Sequence, residues 1–269
     1  MKTKLTLFVT VLAAALFGIG CASVKITKEQ LQNGMVAYYP FNGNAMDGSG
    51  NGKHGKLYGA KLGKDRHGAS EGAYFFDDKS KNQIRMDLTG IKFSNAISVS
   101  GWIYQDANQT YGVSTTRLLS IGKYKEGVII NGAPAGLRCQ IYSSKGDVKS
   151  RLVFSEDPGA HRGIPPHHIA KEMPEALKNN VGQWVSFCMT HSSQQGLKVY
   201  VNGKLAGSVP LKATEDFPIG GDFSESSIGH GTGNSRYFRG ALDDIRIYNR
   251  ALSADEVKAL YDLEKPKGK

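Results

Sequence analysis

The chain has 269 residues, of which 40% are hydrophobic, with 33 glycines, nine prolines and a formal net charge of +10. This composition supplies enough apolar side chains for an ordinary core, and the many glycines favour a turn-rich β-sandwich over a helical bundle. The basic residues are dispersed, with a single short run in the tail 263–269, so the charge pattern argues against nucleic-acid binding.

The first 20 residues are typical of an export signal. Lys2 and Lys4 precede an uncharged apolar run from Leu5 to Ile19, which is shorter than the roughly 20 residues that a membrane-spanning helix needs. We therefore predict that residues 1–20 are a signal peptide that is removed. Loss of its two lysines lowers the net charge from +10 to +8.

The residues before Cys21 resemble a bacterial lipoprotein box. Gly20 is the small residue required before the cysteine, whereas Gly18 stands where leucine is usual. The resemblance implies that Cys21 carries lipid and that residues 21–33 form a polar tether with one helical turn. No Asp follows Cys21, which favours the outer membrane within the cell envelope. An ordinary signal peptide cut near this point, giving a periplasmic or secreted protein, is the alternative.

Short alternating runs after residue 34 predict β-strands. Ile97 to Tyr104 places Ile97, Val99 and Ile103 on one face, a period of two that marks a half-buried strand. Leu197 to Val201 alternates likewise, and Asn202-Gly203 after it predicts a type I′ hairpin turn.

Residues 155–181 interrupt this pattern. The segment has four prolines, three histidines and only a weak helical stretch over 169–177. A connection of this length without a strand of its own is usually functional, so we expect a long surface loop here.

The end of the chain predicts a helix. Ser253 is a candidate N-cap, and Glu256 completes a capping box. Leu252 and Val257 occupy the positions of a hydrophobic staple. Val257, Leu260 and Tyr261 share one face, which should dock on the remainder of the fold.

Two cysteines remain if Cys21 is lipidated. Cys139 and Cys188 lie in the strand-like runs 136–142 and 183–189, and disulfides persist outside the cytosol. We predict a disulfide between them, with two buried free thiols as the alternative.

Two runs at the ends of the predicted domain resemble a known family. Residues 34–55 are GMVAYYPFNGNAMDGSGNGKHG and residues 238–253 are FRGALDDIRIYNRALS. They resemble the first strand with its loop, and the last strand with the following helix cap, of laminin G-like jelly-roll domains of the concanavalin A-like superfamily. The resemblance implies an all-β, two-sheet antiparallel jelly-roll sandwich with a short C-terminal helix, spanning residues 34–262.

The same resemblance implies a structural calcium ion (Ca2+) where the first loop meets the last strand. It favours Asp47 and Asp243 as ligands, with Asn42 and Asn51 as weaker candidates. Calcium takes six to eight hard oxygen ligands, and the glycines around Asp47 let backbone carbonyls turn inward. The alternative is that Asn42, Asp47 and Asn51 stabilise turns through local side-chain bonds.

Strand alternation bears on the two adjacent acids of the last strand. Asp243 shares its face with Ile245 and Ile247, so we expect it to point inward, where a carboxylate needs a cation or strong donors. Asp244 is expected to face solvent. Pairing of either acid with Arg246 or Arg250 is the alternative to metal binding.

The chain lacks a recognisable catalytic motif, and we predict that it is not an enzyme. The Glu-x-Asp-x-Glu pattern of the glucanase branch is absent, and Glu156-Asp157 would face opposite ways in a strand. His161, His167 and His168 form a cluster with no motif that fixes a third partner.

The sequence therefore predicts an exported binding module for carbohydrate or another macromolecule. Aromatic side chains near loops and strand ends could stack on sugar rings, and no ligand-binding residue is singled out among them: Tyr111, Tyr124, Tyr142 and Tyr237. One alternative is a structural or adhesive envelope protein without a small ligand. The other is a polysaccharide-processing enzyme that acts through the 155–181 loop, with Glu156, Asp157 or His161 involved.

Overall fold

The structure is a computed structural model, and parts of the chain lie outside its description. It describes residues 26–77, 80–93, 96–106, 116–122, 137–144, 147–156, 182–192, 194–210, 223–230 and 237–267, with the backbone alone at 116–117, 137–144, 147–156 and 209. The predicted signal peptide, Cys21, Tyr111, Tyr124, the three clustered histidines and residues 157–181 of the predicted loop are outside these ranges.

The described strands form two antiparallel sheets, which confirms the predicted all-β sandwich. In chain order the elements are α1 (Lys28–Gln32), β1 (Met35–Tyr39), β2 (Lys56–Tyr58), β3 (Lys61–Gly63), β4 (Ala73–Phe76), β5 (Gln83–Met86), β6 (Ala96–Gln105), β7 (Thr116–Ile121), β8 (Leu137–Ser144), β9 (Asp147–Glu156), β10 (Trp184–Ser192), β11 (Gly196–Val201), β12 (Lys204–Val209), β13 (Ser226–Ile228), β14 (Gly240–Tyr248) and α2 (Ala254–Glu264).

The larger sheet has the order β12-β11-β10-β6-β14-β4-β3, and β1 also pairs with β14. The smaller sheet has the order β2-β5-β13-β7-β8-β9. Because β14 pairs with β6, β4 and β1, the last strand lies in the middle of the larger sheet and holds the first strand beside it. The two ends of the described chain therefore meet on one sheet.

The core lies between the two sheets. Ile97, Val99 and Ile103 of β6 are buried in it, as the alternation predicts, against Ile84 and Ile228 of the smaller sheet. Alternate residues of the larger sheet point the other way. We call that side of the sheet the outer face.

The hairpin between β11 and β12 has the predicted geometry. Asn202 and Gly203 have φ angles of 48° and 73°, the pair of positive values that a type I′ turn requires. The Asn202 side chain accepts a hydrogen bond from the Ser186 backbone N–H at 3.0 Å. A Cβ at Gly203 would lie 3.0 Å from Tyr261, so glycine also lets α2 approach the turn.

Helix α2 begins and docks as predicted. Ser253 and Glu256 form a reciprocal capping box, and Leu252 and Val257 are buried in one apolar cluster. Leu260 is also buried, and Tyr261 stacks on Trp102 with ring centroids 5.9 Å apart. In the tether, Thr27 caps the single turn α1 in the same way. None of the described helices is long and apolar enough to cross a membrane.

The predicted disulfide between Cys139 and Cys188 is wrong. Cys188 is a free, buried thiol on the outer face of β10, where it packs with Tyr200 and Tyr248 under α2. Cys139 belongs to β8 of the smaller sheet, on the other side of the sandwich core. Strand alternation separates the two residues, because Phe187 and not Cys188 points into that core. Burial raises the pKa of the Cys188 thiol.

Candidate functional site

Three aromatic side chains form a line across the outer face of the larger sheet. The backbone register pairs Trp184 with Tyr104, Tyr104 with Ala241, and Ala241 with Phe75, so these residues stand side by side on four neighbouring strands. The ring centroids of Trp184 and Tyr104 are 5.8 Å apart, and those of Tyr104 and Phe75 are 6.5 Å apart. We call Trp184, Tyr104 and Phe75 the aromatic row.

Two small residues allow the rings to take these positions. Ala241 is fully buried between Tyr104 and Phe75, so the two rings can lean toward each other above the strand that separates them. Gly63 lies beside Phe75, and a Cβ there would come within 2.5 Å of the ring. Contacts that short are not tolerated, so the glycine lets the Phe75 ring lie over the edge strand β3.

The aromatic row lies on a part of the outer face that α2 leaves open. Phe75 is 37% exposed, and Tyr104 and Trp184 are half-buried. Trp102 lies two residues before Tyr104, on the same face of β6, and is only 2% exposed because Tyr261 covers it. Its indole N–H donates a 2.9 Å hydrogen bond to Glu264.

An ion pair borders the row at the end of β6. Arg239 Nε and Asp106 Oδ2 are 3.1 Å apart, with side-chain exposures of 25% and 32%. The site thus combines accessible aromatic rings with charged hydrogen-bonding groups. Rings bind apolar C–H surfaces and the charged groups bind hydroxyls, which is the chemistry that a sugar presents.

A buried ionic network lies next to the row, beneath α2. Arg66 forms ion pairs with Asp243 and, at 2.6 Å, with Asp244. Arg246 pairs with Glu264 at 2.5 Å and with Asp244 at 3.4 Å. Burial alone would lower the pKa of Arg246, but the Glu264 and Asp244 carboxylates outweigh it and raise that pKa. The arginine therefore stays charged.

The expected orientation of the two adjacent acids is wrong. The strand has a register shift between Asp243 and Arg246, with Asp244 at φ 49°, which breaks the alternation. Asp243 pairs in register with Trp102 and lies on the outer face, away from Ile245. Asp244 is 8% exposed and accepts a 2.5 Å hydrogen bond from Tyr38, so it does not face solvent. The alternative pairing of Asp244 with Arg246 is confirmed.

Asp47 organises the first loop through backbone donors. Its carboxylate accepts hydrogen bonds of 2.9 Å from the backbone N–H groups of Tyr38, Ser49 and Lys53, and from the Ser49 hydroxyl. Partial burial raises the pKa of Asp47, but these donors outweigh burial and lower it overall. The carboxylate is thus stabilised in its charged form without a metal.

The structure gives the proposed calcium ligands separate partners. Asn51 donates to the Met35 carbonyl at 3.0 Å, near Asp47, and Asn42 lies exposed in the same loop, whereas Asp243 is bound by Arg66. Within the described ranges, no group of three or more His, Cys, Asp or Glu side chains is placed to hold a metal. Calcium at Asp47 stays a prediction, which a melting temperature unchanged by millimolar calcium after chelation would contradict.

A cleft lies at the other end of the network. It has a volume of about 420 Å3 and runs between α1 and α2, with Tyr38, Arg246 and Tyr248 among its lining residues. Its polar groups are largely engaged in the fold, since Arg246 stacks 4.0 Å from the Tyr38 ring and pairs with Glu264. The Tyr38 and Arg246 side chains of the cleft therefore stabilise the fold.

Sequence reasoning did not find the aromatic row. Of the four tyrosines considered, Tyr237 stacks on His230 at 4.1 Å, Tyr142 lies in β8 with only its backbone described, and the other two are outside the described residues. Tyr104 did carry a signal, because it alternates with Ile103. The partners of Tyr104 come from β4 and β10, and only the strand register brings them together.

The fold and the open aromatic face define a lectin-like β-sandwich. The chain belongs to the concanavalin A-like lectin/glucanases superfamily, because the laminin G family model of that superfamily matches residues 78–258. The match includes the closing run 238–253 that carried the resemblance, and the opening run 34–55 precedes it.

The chain spans only a small part of the curated relatives that it matches. The human adhesion G-protein coupled receptor D1 is 36% identical over 83 residues, which are 29% of this chain and 9% of the receptor. Domain 4 of AbnA, an extracellular arabinanase from Geobacillus stearothermophilus solved with arabinotriose, is 20% identical with a TM-score of 0.57, covering 84% of this chain and 98% of that domain. The binding domain of botulinum neurotoxin DC, solved with SialylT, is 14% identical with a TM-score of 0.61, covering 87% of this chain and 52% of that one.

From the ionic network we predict that the free energy of unfolding falls as the pH rises from about 5 to 8.5. Burial and the neighbouring Asp244 carboxylate raise the pKa of Asp243 to about 8, against about 3.9 in an unfolded chain. In this window the folded state holds a proton that the unfolded state has released, and Asp243 becomes the ionised partner of Arg66 only as the pH approaches 8. Raising the pH therefore favours unfolding. The pKa of Glu264 is also raised, by burial first, and acts in the same direction.

Asp243→Asn should make this pH dependence shallower. Urea unfolding at several pH values between 5 and 8.5 measures the slope for both proteins, above the range in which carboxyls of lowered pKa such as Asp47 titrate. An equal or steeper slope in the variant would show that Asp243 is ionised throughout.

Proposed function

We propose that this domain binds a carbohydrate chain along the aromatic row. The observation that carries the proposal is that Trp184, Tyr104 and Phe75 stand in one register line on the face that α2 leaves uncovered. Apolar side chains that form a contiguous patch on a protein surface often mark an interaction site, whereas single exposed ones need no explanation.

The shape of the row favours a chain over a single sugar. Neighbouring strands are about 4.8 Å apart, so the row, which crosses from β4 to β10, is about 14 Å long. The rings are tilted by 51° and 53° to their neighbours, so they present several oblique surfaces to successive residues of a ligand. Such a line suits an extended polymer that passes across the sheet.

The acids beside the row support binding more than hydrolysis. Glycosidases use two carboxyl groups that flank the scissile bond, one as acid and the other as base or nucleophile. Asp106 pairs with Arg239, and Asp243 and Asp244 share Arg66 beneath α2. In the described part of the outer face, each of these acids is thus paired with an arginine. The arabinanase domain, which has a similar fold, was solved in complex with arabinotriose, and this supports a carbohydrate ligand for the present domain.

Replacement of the row residues should weaken binding while the domain stays folded. We expect Trp184→Ala and Tyr104→Ala each to weaken binding about tenfold or more, because tryptophan and tyrosine are the aromatic residues enriched among those that dominate binding energy, and Phe75→Ala to weaken it less. Affinity electrophoresis in gels that contain single soluble polysaccharides, arabinan among them, measures the effect.

Tyr58→Ala is the matched control. Tyr58 is a half-buried tyrosine of the smaller sheet, with Arg85 at 4.7 Å from its ring, and its loss should leave binding unchanged. If a broad panel of polysaccharides fails to retard the folded wild-type protein, the result favours the structural or adhesive alternative. If binding survives both row variants, the ligand lies elsewhere on the domain.

We further propose that the domain acts outside the cytosol, anchored at the envelope through lipid on Cys21. The support is the lipoprotein-like run before Cys21 and the apolar run of residues 5–19. Growth with a fatty-acid analogue should label the wild-type chain and leave Cys21→Ser unlabelled. An unlabelled wild-type chain in the medium or periplasm would indicate the ordinary signal peptide.

A further inference from the structure

A single lysine extends the aromatic row at its open end. Strand β3 is the edge of the larger sheet and pairs with β4 so that Lys61 stands opposite Phe75. Directly opposed residues of an antiparallel pair lie on the same face, so Lys61 continues the line on the outer face. From β3 to β10 the line crosses five strands, about 19 Å at the usual strand spacing.

The charge of Lys61 is available to a ligand. Its side chain is exposed, and no described residue forms an ion pair with it. The other cations beside the row differ, since Arg239 pairs with Asp106 and Arg66 pairs with both Asp243 and Asp244. Lys61 is therefore a cation at the end of the row that a bound molecule could neutralise.

From this placement we infer that the polymer bound by the row is an acidic polysaccharide, with a sugar carboxylate of the uronic acid type bound by Lys61. The inference rests on the proposed function. A pyranose ring that stacks on Phe75 holds its substituents around its rim, in the direction of the neighbouring strand, which is where Lys61 stands. The net charge, which is +8 without residues 1–20, also favours the approach of a polyanion.

An edge lysine also has an ordinary explanation. Lysine on an edge strand prevents the strand from pairing with another sheet. That role gives Lys61 no effect on which polysaccharide binds, so ligand preference separates the two explanations.

The test compares two forms of one polymer. Polygalacturonate carries a carboxylate on each sugar, and its fully methyl-esterified form has the same backbone without the charge. We expect wild-type protein to bind the acidic form about two- to fivefold more tightly, as an exposed ion pair allows, and to lose this preference in high salt. Lys61→Gln should bind both forms equally, and Lys61→Arg should restore the preference.

Lys56→Gln is the control for a general loss of positive charge. Lys56 is an exposed lysine of the smaller sheet, 5.5 Å from the Tyr58 ring, and its replacement should leave the preference intact. The inference is overturned if Lys61→Gln keeps the wild-type preference, or if wild-type protein binds the ester as well as the acid or binds neither. The proposed function is judged separately, by whether Trp184→Ala loses binding to whichever polysaccharides of the panel the wild type retains.

Discussion

The buried ionic network between β14 and α2 decides which surface this domain exposes. Charged groups removed from water are destabilising by several kcal/mol each unless they are paired and hydrogen-bonded. Arg246 meets Glu264 from the last turn of α2, and Arg66 meets the two acids of β14, so the helix has one position in which the charges are satisfied. In that position the helix covers Trp102 and leaves Tyr104 and the rest of the aromatic row uncovered.

The open surface is shaped by small residues as much as by aromatic ones. Ala241 lies between Tyr104 and Phe75, and its small side chain lets their ring centroids approach to 6.5 Å. Gly63 has no side chain, so the Phe75 ring can lie directly over its backbone. Larger side chains at either position would lift the rings from the sheet. The rings are thus held in place by the sheet, so little conformational entropy would oppose association with the proposed ligand.

The sequence predicted those features that depend on near neighbours in the chain. The Asn202-Gly203 turn, the capping box at Ser253 and the buried side of β6 each follow from a few adjacent residues, and the structure confirms them. The disulfide and the orientation of Asp243 required knowledge of which face each strand presents. A bulge at Asp244 breaks the alternation from which the orientation of Asp243 was predicted. Cys188 lies on the outer face of the larger sheet, away from Cys139 in the smaller sheet, so the predicted disulfide does not form. The aromatic row is a product of long-range register, which local periodicity does not encode.

The most direct test of the proposed carbohydrate-binding surface uses the two tryptophans of the chain. Trp102 is buried under α2 and Trp184 is half-buried in the row, so a ligand that occupies the row should affect Trp184 alone. With the most strongly retained polysaccharide, the account predicts a blue shift of the emission and protection from acrylamide quenching, both absent in Trp184→Phe. Binding that leaves the emission unchanged, or an emission change that persists in Trp184→Phe, would contradict it.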